Sequence, residues 1–193
     1  MTGFAPFGGS SHNPSEALAR QVCELGSASG LHIASRVLAV TPSAVDEFIA
    51  EMLFLRPRCI LAMGETSDEP QFEHSAQNAL KIGRKAKVRR IDAAMGKNER
   101  IPSDISMNLV EQALASSRPP EPQRGDVNTL SSALAKRAWF QSDDSGYLCN
   151  YMNFKLAQAF GADDDVEAGF VHVNEDTPPA QILAIIQAVT NQK

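Results

Sequence analysis

Cysteine is scarce in this chain, and the little there is excludes several classes of protein. Cys23, Cys59 and Cys149 are odd in number, and none stands in a CxxC pair. A disulfide framework or a zinc knuckle is therefore not expected, and a reducing cytosol is the compartment this usage suits. Long apolar runs are missing too: no stretch approaches the roughly 20 residues of a membrane-spanning helix. The opening "MTGFAPFGG" has neither the basic nor the apolar region of a signal peptide. A net charge of −5 argues against a general nucleic-acid binder. His12, His32, His74 and His172 show no metal-ligand spacing. Gly8-Gly9 precedes no GK[ST] and no Rossmann pattern, which sets phosphate cradles aside. What remains is an intracellular, soluble chain of 193 residues, 43% apolar, able to bury one core as a single domain over residues 1–193.

Strand-like and helical signals alternate along it. "NPSEALARQVCELG" starts with Asn-Pro-Ser and returns Ala17, Val22 and Leu25 to one rough face. "TPSAVDEFIAEMLFLRP" opens with Thr-Pro and stops at Pro57, the pattern of a helix with defined ends. "LHIASRVLAV" reads as a strand, and "CILAMG" as a strand buried on both faces that ends at its glycine. "QFEHSAQNAL" and "KAKVRRIDA" read as extended segments around the turn "KIGR". The six basic residues between Lys81 and Arg90 fit a solvated hairpin, because no aromatic residues are interleaved. "SDISMNLVEQALASS" and "SSALAKRAWF" read as helices around a proline-rich connection. "VEAGFVHV" follows as a strand and "TPPAQILAIIQAVTNQ" as a closing helix. This order predicts a three-layer α/β/α sandwich with a mostly parallel twisted sheet, phosphorylase/hydrolase-like in class. In such folds a site forms at the carboxyl ends of the strands.

Three stretches fall at such ends, "TGFAPFGG", "DDSGYLC" and "GFVHVNED", and reactive side chains lie in the last two and in "QFEHSAQN". In "DDSGYLCNYMNF", Cys149 follows a cluster of turn formers and begins a helix that reads through Phe160. Two readings stand at this point. Cys149 shares a stripe with Met152, as a core cysteine would; alternatively, a helix N-terminus stabilises a thiolate nucleophile. In "AGFVHV", alternation puts Phe170 and His172 on one face and Val171 and Val173 on the other. In "QFEHSAQN", Glu73 and His74 point opposite ways if the segment is extended. Thiol, imidazole and carboxylate are the parts of a cysteine hydrolase, with helix N–H groups for the oxyanion. Composition alone does not assign that chemistry, since any chain of this size contains these residue types.

A resemblance narrows the choice. "TGFAPFGGSSHNPS", "EHSAQN", "NTLSSALAKRAWFQSDDSGYLCN" and "GFVHV" occur in that order and resemble the successive motifs of the pyroglutamyl peptidase I (pyrrolidone-carboxylate peptidase) family of cysteine peptidases. The likeness runs from Thr2 to His172. It implies an α/β sandwich, removal of N-terminal 5-oxoproline from peptides without metal or organic cofactor, and a homo-oligomer, dimer or tetramer. It further implies that Cys149 is the nucleophile, His172 the general base and Glu73 the third member. Phe4 and Phe7 would hold the flat lactam ring, with Asn13 a polar residue near it. Neutral, planar lactams suit aromatic faces, whereas a free N-terminal glutamate would carry charges into a slot without partners.

The chain also departs from that pattern. The family has a strand directly before "TGF", where this chain has only Met1, so either the start site is wrong, the sequence is trimmed, or the sheet lacks that strand. "MGETSDEPQFEHSAQN" replaces a glycine-rich, arginine-containing stretch. Ser131 stands for a usual proline, and the turn before Cys149 is one residue shorter. Two rivals follow: a catalytically impaired member acting as a binding or scaffold protein, and a thiol hydrolase acting on another cyclic or acylated N-terminus.

Overall fold

A computed structural model describes residues 1–83, 85–117, 140–141 and 146–191. Its main sheet has six strands: β1 (Thr2–Phe4), β2 (Arg36–Leu38), β3 (Cys59–Glu65), β4 (Gln71–Glu73), β7 (Phe140–Gln141) and β8 (Glu167–Val173). They lie in the order β2-β1-β3-β8-β4-β7. The four strands from β2 to β8 run parallel, and β4 pairs antiparallel to β8. A separate ribbon joins β5 (Ser75–Gln77) to β6 (Arg100–Pro102). The helices are α1 (Pro14–Ala28), α2 (Pro42–Leu55), α3 (Met107–Ser117), α4 (Leu148–Phe160) and α5 (Pro179–Thr190).

Two apolar clusters show that the sheet is covered on both faces. Leu61 and Met63 of β3 and Val171 and Val173 of β8 pack with Val22 of α1, Val110 of α3 and Ile182 and Ile185 of α5. The alternate residues Ile60, Ala62, Ala168 and Phe170 face the other way, against Phe48 of α2 and Met152, Leu156 and Phe160 of α4. Period-two alternation along β3 and β8 thus divides their side chains between two helical layers. The α/β/α sandwich expected from the alternation of elements is the fold observed. Among the described residues, no helix is long and apolar enough to cross a membrane.

The sheet does have its central strand. Thr2–Phe4 itself forms it, in register with Arg36–Leu38 on one side and with Thr2 beside Ala62 on the other. Thr2 is buried, and its hydroxyl donates to Arg36 O at 2.8 Å. A Cβ at Gly3 would meet Ser15 O at 2.2 Å, so only glycine lets α1 lie this close to the strand. Phe4 N–H donates to Ser15 Oγ, and Ala5 N–H extends the pairing to Leu38 O. The loop after β1 is therefore anchored on both sides.

Other boundaries differ in instructive ways. "LHIASRVLAV" is a strand only over Arg36–Leu38. "QFEHSAQNAL" breaks at His74 into β4 and β5, and "KAKVRRIDA" contributes one bridge, Arg89 to Leu80. The fully buried Asn78 replaces ladder pairing there: its Oδ1 accepts from Ile91 N and Asp92 N, and its Nδ2 donates to Asp92 O. Phe140, expected at the end of a helix, lies in β7. Ser131, most of "SSALAKRAWF" and the turn residues 142–145 lie outside the described residues.

Candidate active site

The carboxyl ends of β1, β3 and β8 open onto a cleft of about 740 Å³. His172, the penultimate residue of β8, enters it from the face that carries Phe170, and its ring meets the Phe170 ring edge-on at 5.1 Å between centroids. Cys149, second residue of α4, lines the same cleft as the imidazole. Behind the ring, Glu73 Oε1 lies 2.9 Å from His172 Nδ1, and Glu73 is only 1% exposed. The sheet makes this meeting: β4 lies antiparallel beside β8 with Gln71 opposite His172, which brings the end of β4 close to the ring. Glu73 and His74 do face opposite ways, Glu73 inward and His74 outward.

Because Nδ1 is engaged by Glu73, Nε2 is the nitrogen left for the thiol. Burial works against a charged ring here. The hydrogen bonds to Cys149 and Glu73, and their negative charges, outweigh it and raise His172 to about 10. The imidazole accordingly holds its proton at neutral pH. Ring and carboxylate are in hydrogen-bond contact, and the thiol shares the cleft with the ring.

Phe4, Phe7 and Asn13 line one part of the cleft. Phe4 is buried, while Phe7 is 51% exposed and presents its ring to the opening. Asn13 is buried and fully occupied: Oδ1 accepts from Ser15 N to cap α1, and Nδ2 donates to Ala5 O. It holds the loop that carries both phenylalanines. Leu80, Ile82, Tyr147 and Leu148 add further apolar wall. All six residues singled out by sequence thus converge, five in the cleft lining and Glu73 behind it.

No family model and no curated protein matches this chain. Solved structures do. A mutant pyrrolidone carboxyl peptidase from Pyrococcus furiosus superposes with a TM-score of 0.68 at 19% identity, covering 98% of this chain and 94% of that one. Pyroglutamyl peptidase I from Bacillus amyloliquefaciens gives 0.69 at 16%, covering 97% and 90%. The enzyme from Thermococcus litoralis gives 0.66 at 18%, covering 98% and 90%. The fold is that of the pyrrolidone carboxyl peptidases.

Against that fold, the site holds residues that sequence reasoning passed over. Gly64, taken as the end of a strand, lies inside β3 directly opposite His172. A Cβ there would come within 2.8 Å of Cys149 Sγ and 2.7 Å of Phe170 Cζ, so glycine leaves the sulfur its space. Ser103 Oγ donates to the main-chain carbonyl of Glu73 and ties β6 to the carboxylate's strand. Lys81, counted with a solvated hairpin, lines the cleft with its ammonium 5.4 Å from the centre of the Tyr147 ring. Only the pairing of Gly64 with the strand of His172 would have signalled the first, and pairing is not readable from one sequence.

Proposed function

We propose that this chain is a cysteine peptidase that removes an N-terminal pyroglutamyl residue from peptides, working as one domain in a reducing cytoplasm. The observation that carries the reading is the line Cys149–His172–Glu73, opening on an apolar cleft beside Phe4 and Phe7. In it the Cys149 thiolate attacks the carbonyl carbon of the pyroglutamyl residue. N–H groups of the first turn of α4, which have no acceptor inside the helix, face the developing oxyanion. The carbon–nitrogen bond breaks and His172 gives its proton to the departing amine. Water then attacks the thioester, His172 takes a proton from it, and 5-oxoproline leaves with the thiolate restored. Glu73 keeps Nδ1 engaged so that Nε2 serves the reaction throughout.

Selection rests on charge and shape. A lactam is flat and neutral, so the faces of Phe4 and Phe7 can hold it without desolvating an ion. Turnover of a fluorogenic pyroglutamyl amide by the purified protein, abolished in C149A, is the expected result. Cleavage that persists in C149A would remove the assignment.

A further inference from the structure

We infer that Asn150 is a positioning residue for the nucleophile, holding Cys149 and the segment that follows Glu73 in one rigid frame. The inference rests on the peptidase reading above and deepens it. A side-chain cap would both satisfy one of the first N–H groups of a helix and fix where its first turn lies. The N-cap residue of α4, Tyr147, makes no capping hydrogen bond. That first turn is instead tied to main chain outside the helix.

Asn150 makes the tie. The side chain is fully buried, and its polar atoms all go to one neighbouring stretch of main chain. Oδ1 accepts from Gln77 N at 2.7 Å, while Nδ2 donates to Gln77 O at 2.9 Å and to Ala79 O at 2.8 Å. That stretch begins with Glu73 and runs on into Leu80 and Lys81 of the cleft wall. Lys81 N–H adds a bond to Gly146 O, three residues before the nucleophile. A circuit results: Cys149 shares the cleft with His172, His172 meets Glu73 through the carboxylate, and the chain after Glu73 leads to Asn150, which adjoins Cys149. Opening the circuit at Asn150 leaves the three side chains intact and lets their spacing drift.

The test compares wild type with N150S, which drops the bonds, and N150D, which keeps the volume and the acceptor for Gln77 N–H. Y151F is the control, because it removes a hydrogen bond of the same helix to Asp46 on α2. For folded N150S and N150D, kcat on a pyroglutamyl amide should fall about 100-fold, as misplacement by about 1 Å can cause, with KM changing less than about threefold. Alkylation of Cys149 by iodoacetamide, located by mass spectrometry, should move its pH dependence in both variants. Y151F should lower the melting temperature with kcat and the alkylation profile unchanged. The alkylation readout needs no peptidase activity, so it judges the positioning role even if wild type turns over no pyroglutamyl amide. The inference is overturned if N150S and N150D melt lower yet keep the wild-type alkylation profile. It is equally overturned if neither folds, since Asn150 would then be a folding element rather than a positioning one.

Discussion

His172 sets the pH window in which the Cys149 sulfur can sit beside a positive charge. Two neighbours raise it to about 10 against the effect of burial, so the folded protein binds this proton more tightly than an unfolded chain, whose histidine titrates near 6.5. The stability it contributes is complete below about pH 6.5 and is lost as pH rises through about 10. The alkaline limb of kcat/KM should fall in the same upper region, as the ring loses the proton it must deliver. E73Q removes one of the two supports, so that limb should move to lower pH, which a pH–rate profile of the variant reads directly. A limb that stays in place would mean that Glu73 does not govern the ring. Gly64 supplies a second residue-scale outcome. G64A places a methyl group 2.8 Å from Sγ, and activity should drop about 100-fold or more, far beyond its effect on substrate binding measured by KM.

Among the elements, helix ends were the most legible, because their signals are local. Asn13-Pro14 and Thr41-Pro42 start α1 and α2 with side-chain caps, and α2 ends at Arg56 in the left-handed region just before Pro57. Strands were less legible, because their lengths depend on partners. The resemblance puts a central strand before "TGF", yet here Thr2–Phe4 forms it, and Gly3 and Thr2 suit that place through contacts only the fold supplies. The break at His74 and the Asn78 bonds that replace a hairpin ladder are likewise tertiary. The site's residue types were readable from motifs, whereas Gly64 and Asn150 act through neighbours distant in the chain. Asn13 links this scale to function. N13A should cost about 0.5–2 kcal/mol in chemical denaturation through loss of the α1 cap. It should also raise KM, as Ala5, between Phe4 and Phe7, loses its bond to the start of α1.

At the scale of the whole molecule, the sheet does the assembling. Parallel β1, β3 and β8 bring their carboxyl ends together, α4 delivers its first turn to that edge, and antiparallel β4 supplies a buried carboxylate from behind. The strand whose absence motivated an impaired or scaffold protein is in place, so the sheet gives no support to that rival. Specificity is a property of this assembled cleft. The walls offered by Phe4, Phe7, Leu80 and Ile82 should favour a neutral lactam over a glutamyl amide of the same length, whose ammonium and carboxylate would lose water against those apolar side chains. Pyroglutamyl, glutamyl and prolyl amides compared by kcat/KM should differ by at least about 100-fold in favour of the first.

The most direct measurement is steady-state turnover of a fluorogenic pyroglutamyl amide by the purified chain, run beside C149A. Multiple turnovers by wild type and none by C149A are expected. A folded wild type that binds the amide without releasing product, or a C149A variant that still releases it, would contradict the assignment of Cys149 as the attacking group.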